Sequence, residues 1–87
     1  MVNIQVTVNS EGGLHARPAS LVVNTANKFK SSVKIVKDTK IADAKSILNI
    51  MTLGTKKGET LDIQVEGEDE QAAAEELQAL FANNFAM

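Results

Sequence analysis

The chain has 87 residues, 44% of them hydrophobic, which is enough for one compact core and predicts a single domain over residues 1–87. It contains no cysteine and one histidine, so disulfides and thiolate or multi-histidine metal sites are excluded, and we expect neither a metal nor a cofactor. The formal net charge is −2, and three phenylalanines are the only aromatic residues. The chain therefore lacks the basic excess and the stacking groups of a nucleic-acid-binding protein.

The charge is divided unevenly along the chain. Residues 1–45 carry a net charge of +4, and residues 46–87 carry −6. Ordinary solvated surface accounts for such an imbalance. A functional explanation is also open, because a basic first half would attract an acidic protein partner and raise its association rate.

The beginning of the chain alternates polar and apolar residues and has neither the charged region nor the apolar run of a signal peptide. No stretch approaches the roughly 20 apolar residues of a membrane span. We therefore expect a cytoplasmic protein that does not insert into membranes.

The first elements follow from hydrophobic periodicity. Apolar residues at every second position from Val2 to Val8 predict a half-buried strand. The polar and glycine residues 10–13 predict a flexible turn. A helix is predicted from about Ala16 to Phe29. Its core-facing positions at helical spacing are Ala19, Val22, Val23, Ala26 and Phe29.

The middle of the chain predicts two strands and a short helix. A second strand contains Val33 and Ile35, and a turn at residues 38–39 leads into a third strand over about residues 40–42. A helix from Ser46 to about Leu53 follows, and Gly54 ends it.

A fourth strand and a final helix complete the chain. Apolar and polar residues alternate over residues 61–65, and Gly67 ends that strand. The last helix begins at about Asp69, with acidic residues 68–70 at its positive end. Its predicted core residues are Ala73, Leu77, Leu80 and Phe81. We expect the tail, residues 83–87, to fray.

The order β-α-β-β-α-β-α predicts an α+β fold in which three helices cover one face of a four-stranded antiparallel sheet. The alternating strands indicate that the other face of the sheet is exposed to solvent.

The segment Gly13-Leu14-His15-Ala16-Arg17-Pro18-Ala19 predicts an anion site. Proline is favoured in the first turn of a helix, so His15 lies where the helix begins and its amides lack partners. Those amides, the positive end of the helix dipole and the forked guanidinium of Arg17 all suit a phosphate. A neutral imidazole is a nucleophile and can transfer protons. For an isolated histidine, however, a plain capping or surface role is the more common one.

The short helix has two features of its own. Ser46 is placed as its N-cap, a role that needs no regulation. Its apolar residues nearly encircle it, so part of them must be exposed because a helix of two turns buries only one face. These residues are Ile47, Leu48, Ile50, Met51 and Leu53.

Both segments resemble the HPr family, the histidine-containing phosphocarriers of the bacterial phosphoenolpyruvate-dependent sugar phosphotransferase system. Residues 13–19 match the family's signature G-[IL]-H-[AT]-R-P-A at every position, and residues 45–54 resemble its regulatory-serine segment. The resemblance covers nearly the whole chain. It implies an open-faced β-sandwich with strand order 1-4-2-3.

The resemblance also implies a function. His15 would accept a phosphoryl group on Nδ1 from phosphorylated enzyme I and pass it to the IIA units of sugar permeases, while Arg17 stabilises the transferring group. Ser46 would be phosphorylated by an HPr kinase/phosphorylase, and a catabolite-control transcription regulator is a further expected partner. A docking patch beside His15 is implied, with these residues: Ser20, Ile47, Leu48 and Met51. The protein would be a monomeric phosphoryl carrier, not an enzyme.

Departures from the family pattern at Asn24 and Asn49 affect partner preference, not the phosphorylation chemistry.

Three alternatives stay open. One is a purely regulatory binding module, as in HPr paralogues that lack the histidine. Another is a small enzyme with His15 as acid or base, although Glu11 is the only carboxylate near it in sequence. The third is a carrier of the nitrogen-related phosphotransfer branch.

Overall fold

Seven helices and strands follow one another in the predicted order in a computed structural model of the chain, which describes residues 1–85. The elements are β1 (Val2–Thr7), α1 (Ala16–Ala26), β2 (Ser32–Lys37), β3 (Lys40–Asp43), α2 (Ile47–Met51), β4 (Thr60–Glu66) and α3 (Glu70–Ala82). The predicted order β-α-β-β-α-β-α is confirmed.

The four strands form one antiparallel sheet in the order β1-β4-β2-β3, as the family resemblance implied. The register places apolar residues opposite one another across the inner face. Ile63 in the centre is opposite Ile4 on one side and Ile35 on the other, and Ile35 is opposite Ala42. Because side chains alternate along a strand, this row fixes which face of every strand is buried.

The helices cover only the inner face of the sheet. α3 packs on β1 and β4, and α1 packs against both α2 and α3. The core positions predicted on the two long helices are buried, except Phe29, which is partly exposed. The outer face carries exposed or half-buried polar residues, including Asn3, Gln5, Lys34 and Gln64. The fold is therefore the predicted open-faced α+β sandwich.

The first helix is shorter than predicted. α1 ends at Ala26: the amide of the C-cap residue Asn27 still bonds four residues back, to the Val23 carbonyl at 2.9 Å, but the two amides after it bond three residues back. The N–H groups of Lys28 and Phe29 donate to the carbonyls of Thr25 and Ala26, each at 3.2 Å. This tightened turn directs Phe29 towards the edge of the core, where it is half-buried.

The short helix also has narrower bounds than predicted. α2 covers Ile47–Met51, with Ser46 as its N-cap and Thr52 as its C-cap. Gly54 follows with φ 64° and donates its amide to the carbonyl of Met51 at 3.3 Å. The glycine ends the helix as predicted, because this left-handed conformation costs glycine little.

The predicted fraying of the tail is wrong for residues 83–85. Phe85 is 5% exposed and packs edge-on against Phe81, with ring centroids 4.9 Å apart. Its amide donates to the carbonyl of Leu80 at 2.9 Å. Burial of an aromatic ring outweighs the tendency of a chain end to fray. Ala86 and Met87 lie outside the described residues.

Asp69 anchors the loop between α1 and β2 to the start of α3. Its carboxylate accepts the amides of Lys30 at 2.8 Å and Ser31 at 2.9 Å, and also the Ser31 hydroxyl. The Ser31 hydroxyl, followed by the Lys30 amide, lowers the pKa of this carboxyl to about 2. The side chain makes no capping bond to α3 itself. In the part of the chain that is described, no helix is long and apolar enough to cross a membrane.

Candidate functional site

His15 is the N-cap residue of α1, but its side chain does not act as a cap. The backbone is extended, with φ −83° and ψ −167°, and the carbonyl accepts the Ala19 amide at 3.0 Å. The imidazole makes no capping hydrogen bond and is exposed to solvent. The plain capping role is therefore excluded, and the ring is accessible to a reacting group.

The first two backbone amides of α1 have no acceptor among the described residues. Within residues 1–85, the amides of Ala16 and Arg17 donate to no backbone carbonyl, and Pro18 has no amide hydrogen. Together with the helix dipole, these free N–H groups create a favourable potential for an anion beside the imidazole.

The turn before His15 requires glycine at position 13. Gly13 has φ 73°, and its amide donates to the carbonyl of Ser10 at 2.9 Å. A Cβ at this position would overlap the backbone carbonyl oxygen of Thr55. That carbonyl also accepts the amide of Leu14 at 3.2 Å, and the Leu14 side chain is buried. The loop around Thr55 therefore holds the backbone that presents His15.

Gly12 leaves room for the imidazole. A Cβ on Gly12 would lie 3.1 Å from Cδ2 of His15, so the ring is packed over this glycine. Any side chain at position 12 would press on the edge of the ring and change its orientation.

The imidazole opens onto a cleft of about 320 Å³. Its lining residues are Ser10, His15, Arg17, Pro18, Leu21, Asn84 and Phe85. The structure thus brings His15 and Arg17 together, as the motif predicts, and adds residues that sequence reasoning missed. An asparagine just after a helix is a recognisable signal for a left-handed helix end, but that signal does not place it at a cleft.

Among the described residues, those that line the cleft include the positively charged Arg17 and no carboxylate. Arg17 is exposed and forms no salt bridge within the described residues 1–85. Glu11 does not line the cleft, and its carboxylate bonds Nζ of Lys57 at 2.7 Å, which lowers the pKa of Glu11. The exposed guanidinium of Arg17 and the free amides at the start of α1 suit an anion bound beside the imidazole.

The Ser46 hydroxyl caps α2, accepting the Asn49 amide at 3.3 Å. The side chain is half-buried and lies at the positive end of this short helix. The capping role weighed from the sequence is thus present in the structure.

The structure divides the apolar residues of α2 and its C-terminal turn into two sets. Ile50 and Leu53 are buried, at 0% and 2% exposure. Ile47, Leu48 and Met51 are 39%, 76% and 44% exposed. Ser20, on the neighbouring α1, is half-buried. We call the exposed set, with Ser20, the apolar patch.

Lys37 holds the end of α2 in place. Its Nζ donates to the carbonyls of Leu53 at 3.1 Å and Gly54 at 3.2 Å, and it pairs with Glu59 at 3.1 Å. Glu59 also accepts the Lys56 amide at 2.6 Å. This hydrogen bond, followed by the one from Lys37, lowers the pKa of Glu59. The apolar patch is therefore tied to the loop that supports His15.

Comparison with known proteins agrees with this geometry. The family model "PTS HPr component phosphorylation site" matches residues 2–83. Phosphocarrier protein HPr from Treponema pallidum is 42% identical over 85 residues, which cover 98% of this chain and 97% of the relative. The HPr-like protein Crh from Halalkalibacterium halodurans is 48% identical over 77 residues, covering 88% and 92% of the two chains.

Solved structures show the same relationship. HPr-C-His from Thermoanaerobacter tengcongensis superposes with a TM-score of 0.94 at 41% identity, covering 98% of this chain and 96% of that one. An HPr dimer from the same organism has a TM-score of 0.80 at 40% identity, with both chains covered completely. The chain belongs to the HPr family of phosphocarriers of the phosphotransferase system.

Proposed function

We propose that the chain accepts a phosphoryl group on His15 from phosphorylated enzyme I and passes it to the IIA units of sugar permeases. The observation that carries this proposal is the exposed imidazole of His15 at the start of α1, beside free amides and a guanidinium that forms no salt bridge within residues 1–85. A transferring phosphoryl group needs alignment and charge stabilisation more than a deep pocket.

The chemistry follows from these groups. The lone pair of the imidazole nitrogen attacks phosphorus, and an N–P bond forms as the bond from phosphorus to the donor breaks and its electron pair stays with the donor. The family resemblance assigns the attack to Nδ1. The amides of Ala16 and Arg17 and the Arg17 guanidinium then face the phosphoryl oxygens. The reverse reaction delivers the group to the next acceptor, and an open cleft admits both partners.

Phosphorylation by purified enzyme I tests this proposal. The chain and a His15→Ala variant are incubated with phosphoenolpyruvate, magnesium and enzyme I, and the phosphate is located by mass spectrometry. We expect an acid-labile phosphate on His15 and none on the variant, whose melting temperature should be unchanged because the side chain is exposed. Full phosphorylation of the variant at another residue would refute the assignment. Parallel reactions with the nitrogen-branch enzyme decide between the two branches.

We further propose that the apolar patch is the docking surface for these partners. Its exposed side chains lie on α2, which packs against the helix that begins at His15. A flexible methionine such as Met51 adapts to partners of different shape.

Ser46 is the proposed regulatory site, modified by an HPr kinase/phosphorylase. A phosphate there would add about −1.5 to −2 charges while remaining at the favourable end of α2. The helix should therefore survive, and the added charge would repel an acidic donor at the adjacent docking surface.

A regulatory role is a second candidate function, favoured by the similarity to Crh. In this role the Ser46-phosphorylated chain would bind a catabolite-control transcription regulator. Binding of that regulator to phosphorylated and unmodified chain, measured by calorimetry, tests the role directly. Tighter binding after phosphorylation supports it, and equal binding rejects it.

We also infer that the chain acts as a single-domain, cytoplasmic protein. We infer that it is a monomer, because exchange with successive partners requires the apolar patch and the cleft to be free. Sedimentation at concentrations below and above those of the transfer assay tests the monomer. A dimer at the assay concentration would contradict it.

A further inference from the structure

Two adjacent asparagines after α3 line two different clefts. Asn84 lines the cleft that contains His15 and Arg17. Asn83 lines a separate cleft of about 140 Å³ between α1 and α3, together with Thr25 and Lys28. Of the two asparagines, only Asn84 lines the cleft on the imidazole side.

The backbone of Asn84 is held firmly. Asn84 and Phe85 have φ 53° and 61°, the left-handed region that is disfavoured for residues other than glycine and asparagine. Burial of the Phe85 ring and its amide bond to Leu80 maintain this conformation. Asn84 thus lines the cleft with its backbone in a defined left-handed conformation.

We propose that Asn84 is a phosphoryl-binding residue, whose carboxamide N–H donates to an oxygen of the phosphoryl group carried by His15. This inference rests on the proposed function of His15. Arg17 lines the cleft from α1 and Asn84 lines it from the segment after α3, so the Asn84 carboxamide completes a set of donors around the phosphoryl oxygens. The donor is neutral, and it orients the group while adding no further positive charge that would slow its release.

Three variants separate the side chain of Asn84 from its backbone. Asn84→Gly removes the donor and keeps the left-handed conformation, which glycine adopts readily. Asn84→Asp keeps the side-chain shape and places a negative charge on the wall of the cleft. Asn83→Asp is the matched control, since it introduces the same charge one residue away, in the other cleft.

The main measurement is the equilibrium ratio of phosphorylated chain to phosphorylated enzyme I, together with the melting temperature of each variant. We expect Asn84→Gly to lower the ratio about tenfold, the effect of one lost hydrogen bond to a charged group. Asn84→Asp should lower it further, and Asn83→Asp should leave it within about twofold of the unmodified chain. Melting temperatures of the two aspartate variants should agree.

The outcome distinguishes this inference from the proposed function. If the unmodified chain is phosphorylated and both Asn84 variants behave like Asn83→Asp, the inference is overturned and the role of His15 stands. If the unmodified chain accepts no phosphate, the proposed function fails. Inorganic phosphate is then the probe, with the His15 ring protons followed by NMR. Weaker phosphate binding by Asn84→Gly than by the unmodified chain supports the binding role, and equal binding overturns it.

Discussion

Substitutions at two positions of α2 distinguish a role in partner docking from a role in the stability of the fold. Leu48 is 76% exposed and Ile50 is fully buried, although both are branched aliphatic residues of one five-residue helix. We predict that Leu48→Ala weakens partner binding and leaves the fold nearly unchanged, whereas Ile50→Ala destabilises the fold.

The magnitudes follow from burial. Ile50→Ala removes three buried carbon atoms, which costs about 2.4 kcal/mol at roughly 0.8 kcal/mol each. The remaining cavity raises the cost to about 3–4 kcal/mol. At about 4–8 °C per kcal/mol for a domain of this size, the melting temperature should fall by at least about 12 °C. Leu48 has little buried surface to lose, so its substitution should cost less than about 0.5 kcal/mol.

For partner binding we expect the opposite order, with Leu48→Ala causing the larger loss. If Leu48 is buried by a partner, its truncation should cost about 1–2 kcal/mol, a roughly 5- to 30-fold weaker complex. Thermal denaturation gives the stability of each variant, and calorimetry with a IIA domain gives the dissociation constant. The reasoning is refuted if Leu48→Ala binds as tightly as the unmodified chain, or if it loses as much stability as Ile50→Ala.

Further substitutions test the supports of the site. Gly13→Ala should destabilise the fold and slow phosphorylation together, because the methyl group overlaps the Thr55 carbonyl; normal melting and transfer would contradict this. Arg17→Lys keeps the charge but loses the planar fork, so transfer should slow at unchanged melting temperature, and stopped-flow transfer rates equal in both directions would reject a special role for the guanidinium. Ser46→Asp should slow enzyme I-dependent phosphorylation less than true phosphoserine, since it adds about half the charge; equal rates for all three forms would leave only the capping role. Asp69 has a pKa of about 2 against an ordinary 3.8, so its stabilising effect is complete above the ordinary value and is lost as pH falls through 2. Asp69→Asn should therefore be less stable than the unmodified chain at pH 7 and nearly equal to it at pH 2, by denaturant titration; a pH-independent difference would contradict the linkage.

Only part of the candidate site could be predicted from sequence motifs. His15 and Arg17 were predicted together because they lie on the first turn of one helix, whose start follows from Pro18 and the apolar spacing after it. The cap at Ser46 was predicted for the same local reason. The sequence did not indicate that Asn84 lines the cleft, because no local pattern connects residue 84 to residue 15.

Hydrophobic periodicity by itself determined the order of the elements and the buried faces of the strands and of the two long helices, since strand and helix periods are properties of neighbouring residues. The strand order came with the family resemblance. Only the tertiary structure decided which residues of α2 are exposed and that Thr55 approaches Gly13. It also decided that Asp69 binds the amide of Ser31, 38 residues away in sequence. Each of these depends on how the helices pack over the sheet, and that packing brings together residues whose separation along the chain leaves no periodic trace.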